Sequence, residues 1–204
     1  MDRVLSVSKE NKRIVITNRK MVEGTLLHQL QKISRFHPYA IILRETDLPD
    51  AEYEALAQET LRLCMQENIH CFLHSRIDIA LKIGCRNIHL PLSLFKKMAF
   101  ADEKQLGKET MRSSFEQISV SCHSMEDMQI AVKGGATQVV LGTIFATESK
   151  KGVTGRGLNF LRKICDACPL PVYAIGGITP ENLASVCNAG AAGGCMMSGF
   201  MKLK

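Results

Sequence analysis

The chain has 204 residues, enough for one well-buried core and near the lower end of what an eight-unit β/α barrel needs, so a single domain spanning 1–204 is expected. Hydrophobic residues make up 46% and charged residues 23%; these are ordinary values for a globular domain, and no apolar run approaches the length of a membrane span. The formal charge of +6 comes with dispersed Lys and Arg, 5% aromatics and no DNA-binding motif, which argues against a nucleic-acid partner and in favour of small anionic ligands.

In chain order, Met1 to Asn11 is polar and lacks the apolar stretch of a secretory signal, so the expected location is the cytoplasm. Short β-rich runs then alternate with amphipathic stretches. Strands are predicted at 13–17, 39–43, 69–73, 87–90, 118–122, 138–141, 171–175 and 194–197. Between them, 51–67 and 124–133 place apolar residues at helical spacing with polar residues opposite. Pro49-Asp50, Ser124 and Thr179-Pro180-Glu181 supply helix-start signals. The fourth unit, 92–107, is mixed and reads as a short helix plus a loop. The pattern predicts an α/β fold, a (β/α)8 TIM barrel in which outer helices cover a closed parallel sheet. Seven residues follow the eighth strand, so its final helix is truncated or missing. The groove there is left open, filled by the N-terminal segment, or buried in a homo-oligomer.

Eight cysteines are scattered through apolar segments, which reads as reduced, buried thiols and not as a disulfide framework. Cys165 and Cys168 form a lone CxxC at a helix end, without the second ligand pair a zinc site needs.

Ligands of such barrels bind where strands end, and phosphates commonly sit between the loops after strands seven and eight. Strand seven ends in Ile175-Gly176-Gly177, and two glycines allow close backbone approach to an anion. Strand eight ends in Met197-Ser198-Gly199, which offers a hydroxyl, backbone N–H donors and the start of a helical turn. After strand six a long loop carries Thr147, Ser149 and Lys150, a second contact region for a charged ligand. His123 ends strand five, where barrel chemistry resides, and imidazole both takes and gives a proton near neutral pH. Arg44 ends strand two, with a guanidinium suited to a carboxylate or to a structural ion pair. His74 and His89 lie near strand ends and read as packing or ligand contacts, not as a metal site, because no carboxylate accompanies them.

Ile42-Leu43-Arg44-Glu45, Ser75 to Ala80, Val120-Ser121-Cys122-His123-Ser124, the segment 140–147 and Ala174 to Pro180 together resemble the thiamine phosphate synthase and thiazole tautomerase superfamily, closest to its tautomerase (TenI-type) branch. The similarity runs from the second strand to the end. The synthase joins a pyrimidine pyrophosphate to a thiazole phosphate with Mg2+ held by acidic residues. Here those places read His74-Ser75 and Pro91-Leu92-Ser93, and serine cannot supply the charge magnesium requires. The tautomerase branch also lacks these carboxylates and carries its catalytic histidine where His123 stands. The resemblance therefore implies a small-molecule thiazole phosphate substrate, His123 as catalytic residue, and substrate contacts at Arg44, His74, Thr147, Ser149, Lys150, Gly176, Gly177, Met197, Ser198 and Gly199. It implies no cofactor, with Mg2+ needed only if the synthase alternative holds. A third reading is a homologue that kept the phosphate pocket and lost catalysis.

Overall fold

A computed structural model describes residues 12–100, 113–147, 152 and 154–204. Eight parallel strands close on themselves in the order β1 to β8, with β1 pairing both β2 and β8. They are β1 (Lys12–Ile16), β2 (Ala40–Leu43), β3 (His70–His74), β4 (Asn87–Pro91), β5 (Gln117–Cys122), β6 (Gln138–Gly142), β7 (Val172–Ile175) and β8 (Gly193–Met196). The outer layer among the described residues comprises α1 (Leu26–Ser34), α2 (Asp50–Gln66), α3 (Ile77–Ile83), α4 (Leu92–Ala99), α5 (Met125–Gly134), α6 (Gly157–Ala167), α7 (Leu183–Asn188) and α8 (Ser198–Met201).

The predicted strands and helices are present, with ends shifted by a residue or so. The seventh helix differs more: its regular part starts at Leu183, not directly after Thr179. The Asn182 side chain accepts from Thr179 N at 2.9 Å and donates to Gly177 O at 2.8 Å, folding 177–182 into a stapled turn first. In the fourth unit α4 is the short helix expected; the loop at 101–112 lies outside the described residues.

Strand alternation divides the core in two. Ile14, Ile16, Ala40, Ile42, Phe72, Val140, Tyr173 and Cys195 fill the barrel interior. Their neighbours of opposite parity, such as Val15, Ile41, Leu73, Ile88, Val120 and Leu141, pack outward against the helices. At the N-terminal end the interior is closed by Tyr39 stacked on Tyr173, with ring centroids 5.6 Å apart. The C-terminal end is thereby left as the mouth, the end where barrel chemistry is built.

The chain's last turn is short but anchored. Gln29 of α1 donates to the carbonyls of Phe200 and Leu203 at 2.7 and 2.9 Å, which satisfies acceptors at the end of α8. The proposed filling of the groove by the N-terminal segment concerns residues 1–11, outside the described residues. No described helix is long and apolar enough to cross a membrane.

Candidate active site

The residues at the mouth continue the inward parity of their strands. Arg44 follows Ala40 and Ile42, His74 follows Phe72, His123 follows Ser119 and Ser121, and Met197 follows Cys195. Each therefore stands one step past an inward-facing position, on the same rim.

His123 is exposed at the end of β5. Its Nδ1–H donates to the carbonyl of Gly142 at 2.7 Å. A carbonyl only accepts, so this bond requires a proton on Nδ1, and in the neutral ring Nε2 then carries the lone pair. Gly142 allows the approach of the next strand, since a Cβ there would lie 2.4 Å from Ile175 Cγ2 and 2.7 Å from Ile175 O. Cys122 faces the other way and is fully buried; burial pushes its thiol up to about 12, so it is packing and not a nucleophile.

Beside His123, on the neighbouring strands β4 and β3, stands a column of neutral imidazoles. His89 is buried in the barrel interior, with Nδ1 2.9 Å from Ser119 Oγ and Nε2 2.9 Å from Ser121 Oγ. Burial, then the neighbouring His74 and Arg44, hold its pKa down at about 3. The His74 ring lies 5.6 Å from that of His89, and its Nδ1 shares a 3.0 Å hydrogen bond with Ser75 Oγ. Burial and then Arg44 lower the His74 pKa to about 4. Ser75 adopts φ 64°, a left-handed backbone uncommon for serine.

Arg44 is exposed, and no ion pair engages it among the described residues. The carboxylate beside it is occupied elsewhere: Glu45 is buried, accepts from Thr17 Oγ1 at 2.7 Å and Arg19 N at 3.1 Å, and pairs with Arg19 Nη1 at 3.2 Å. Thr17 Oγ1 in turn accepts from Arg44 N at 2.9 Å. The structural ion pair considered for Arg44 thus belongs to Glu45 and Arg19, and it fixes the backbone from which Arg44 projects.

On the β6 to β8 side, Gly176 and Gly177 have φ 99° and 62°. A Cβ on Gly176 would lie 2.4 Å from Thr143 Cγ2, and one on Gly177 2.7 Å from Ala146 O, so both the conformation and the space require glycine. Phe145 N donates to Gly176 O at 3.0 Å, tying the β6 loop to this turn. Ser198 and Gly199 are exposed at the start of α8, where the first N–H groups of a helix have no intrahelical partner. Thr147 belongs to the same β6 loop. Ser149 and Lys150 lie outside the described residues.

Three groups were missed in the sequence: the Thr17–Arg19–Glu45 clamp, the Ser119–Ser121 cradle of His89, and the Asn182 staple. The serines were findable, since they share the inward parity of His123. The other two depend on contacts between distant segments. His28, His37 and His70 are exposed.

The sequence pattern of the family described as thiamine monophosphate synthase matches residues 14–200. The chain belongs to this family. It is 32% identical over 187 residues to the putative thiamine-phosphate synthase 2 of Aquifex aeolicus, covering 92% of this chain and 96% of that protein. It is 30% identical over 199 residues to the thiamine-phosphate synthase of Coprothermobacter proteolyticus, covering 95% and 88%. Thiamine phosphate pyrophosphorylase from Pyrococcus furiosus has the same fold, with TM-score 0.78 and 24% identity over 96% of this chain and 89% of that one. The family is thus that of enzymes of thiamine biosynthesis. The relatives' names favour the synthase alternative over the tautomerase branch.

Proposed function

We propose that the protein is a thiazole tautomerase, aromatising a carboxylated thiazole phosphate by proton transfer through His123. One observation carries this reading: the bond from Nδ1–H to Gly142 O commits that ring nitrogen as a donor and leaves Nε2 as the nitrogen available for proton transfer at an exposed position on the rim. Nε2 takes the proton from the ring carbon, and the resulting imidazolium returns a proton to the exocyclic carbon. The proton count of the enzyme is unchanged over the cycle, and no redox partner is needed.

The remaining groups divide by charge. The Gly176-Gly177 turn and the N–H groups opening with Ser198 and Gly199 suit the phosphate. Arg44, free of an ion pair among the described residues, suits the substrate carboxylate. His74 has Nδ1 committed to Ser75 and is neutral, so it offers Nε2 as an uncharged polar contact. Thr147, Ser149, Lys150 and Met197 complete the expected substrate contacts.

The reading is metal-independent, and the donor set supports that. Where synthases hold magnesium, this chain has one imidazole, His74, and the hydroxyls of Ser75 and Ser93, with no carboxylate among them. Mg2+ demands oxygen ligands with charge, which neutral imidazole does not supply. No step is routed through a metal.

The second reading, favoured by the relatives' names, is thiamine phosphate synthase. One pair of assays separates the two. Wild type incubated with the non-aromatic thiazole carboxylate phosphate should yield the aromatic product, and His123→Gln should not. Mg2+-dependent coupling of a pyrimidine pyrophosphate to a thiazole phosphate, with no tautomerase turnover, would replace the first reading by the second. Binding without either turnover would support the pocket-only homologue.

A further inference from the structure

His123 is restrained at three separate atoms. Besides the ring bond to Gly142, its backbone N–H donates to Asp127 Oδ2 at 2.8 Å, and its carbonyl accepts from Arg156 Nη1. The first backbone anchor has a helix-capping explanation: Asp127 lies in the first turn of α5, and its own N–H is capped by Ser124 Oγ at 3.1 Å. Arg156 has no such explanation.

Arg156 occupies the N-cap position of α6, where a cation opposes the helix dipole. Its side chain makes no capping bond to the helix. Instead the guanidinium carbon lies over the Phe160 ring, 3.7 Å from its centroid, within cation–π range, and its terminal N–H reaches back thirty-three residues in sequence to His123. The backbone around it is equally fixed. Arg156 N donates to Thr143 O at 3.0 Å and Gly157 N to Ile144 O at 2.8 Å. Gly155 lies so close to the β6 exit that a Cβ would stand 2.6 Å from Phe145 Cα. Arg156 therefore spans the two segments that meet at the ring of His123: the β5 end, which carries the imidazole, and the β6 exit, whose Gly142 carbonyl orients it.

We propose that Arg156 is a positioning residue for His123, locking the β5 end against the β6 exit so that Nδ1 stays on the Gly142 carbonyl and Nε2 stays directed to the mouth. This deepens the tautomerase reading and rests on it for the reaction, but its geometric content can be measured without substrate.

The test uses full-length protein labelled with 15N-histidine, the His123 signal being assigned by its loss in His123→Gln. At a pH where imidazole is neutral, the ring nitrogen shifts of wild type should report the Nδ1–H tautomer. Arg156→Met, which keeps the stem over Phe160 but removes the donor, should give a tautomer mixture with the Nε2–H form gained. Arg156→Lys, which restores a donor, should move the shifts back toward wild type. With the thiazole carboxylate phosphate, Arg156→Met should lower kcat roughly ten- to a hundredfold with KM little changed, the pattern of a misplaced catalytic group. An unchanged Nδ1–H tautomer in folded Arg156→Met overturns the proposal. Should that variant not fold, Phe160→Leu, which removes the ring that seats the guanidinium, tests the same bond, and an unchanged tautomer there is equally decisive. Absence of turnover in wild type would refute the tautomerase reading alone, because the tautomer comparison stands without it.

Discussion

Acidification tests the buried imidazole column directly. His89 is 4% exposed and its pKa lies at about 3, against an ordinary 6.5. A histidine held below its ordinary value stabilises the fold fully above 6.5, and that stability is lost as pH falls from 6.5 toward 3, because the unfolded chain takes up the proton first. At a pH near 4.5 an unfolded imidazole is protonated by roughly 100 to 1, which favours the unfolded state by about 2.7 kcal/mol while His89 in the folded barrel is still neutral. His89→Gln keeps a polar group between Ser119 and Ser121 but cannot titrate. Urea unfolding near pH 7.5 and near pH 4.5 should therefore show wild type losing about 2 to 3 kcal/mol more than the variant over that interval. His74 titrates in both proteins and cancels. Equal losses in the two proteins would refute the assignment of His89 as a neutral, fully buried pair partner.

Further predictions concern the site and its supports. His123→Gln should reduce tautomerase kcat by about 10² to 10⁴ while leaving the thermal unfolding midpoint near wild type, since the side chain is exposed; kinetics and a melting curve check this. Glu45→Ala should destabilise by roughly 2 to 4 kcal/mol, because Thr17 Oγ1, Arg19 N and the half-buried Arg19 guanidinium lose their shared acceptor; denaturant titration measures it. Gly177→Ala should weaken inorganic phosphate binding and cost about 1 to 3 kcal/mol of stability, from the left-handed φ and the 2.7 Å approach to Ala146 O, read by calorimetry and urea unfolding. Chelation with EDTA should leave tautomerase turnover unchanged, whereas Mg2+-dependent turnover would contradict the reading of the mouth as metal-independent.

Much of this was legible in the linear chain. Short β-rich runs alternating with amphipathic stretches predicted the strands, and Arg44, His74, His123 and Met197 each extend their strand's interior parity, so a rim of like-facing residues follows from counting. Gly176-Gly177 announced a turn that only glycine adopts, and Ser124 announced α5. The neutral state of His89, the donor role of His123 Nδ1 and the lack of an ion pair at Arg44 among the described residues were not legible. Protonation depends on what surrounds a ring in space, and ion pairing on which carboxylate arrives first: Glu45 is adjacent to Arg44 in sequence, yet by alternation it points away and is taken by Arg19.

Local sequence thus determined the alternation of strand and helix, the closed parallel barrel and the end at which its ligand site lies, because those depend on periodicity and on residues within a turn of one another. Tertiary closure alone decided that β5, β6 and the start of α6 meet at His123. Hydrogen bonds between Gly142, Asp127, Arg156 and that histidine span up to thirty-three positions, and their directionality, unlike hydrophobic pattern, exists only once the strands are in register.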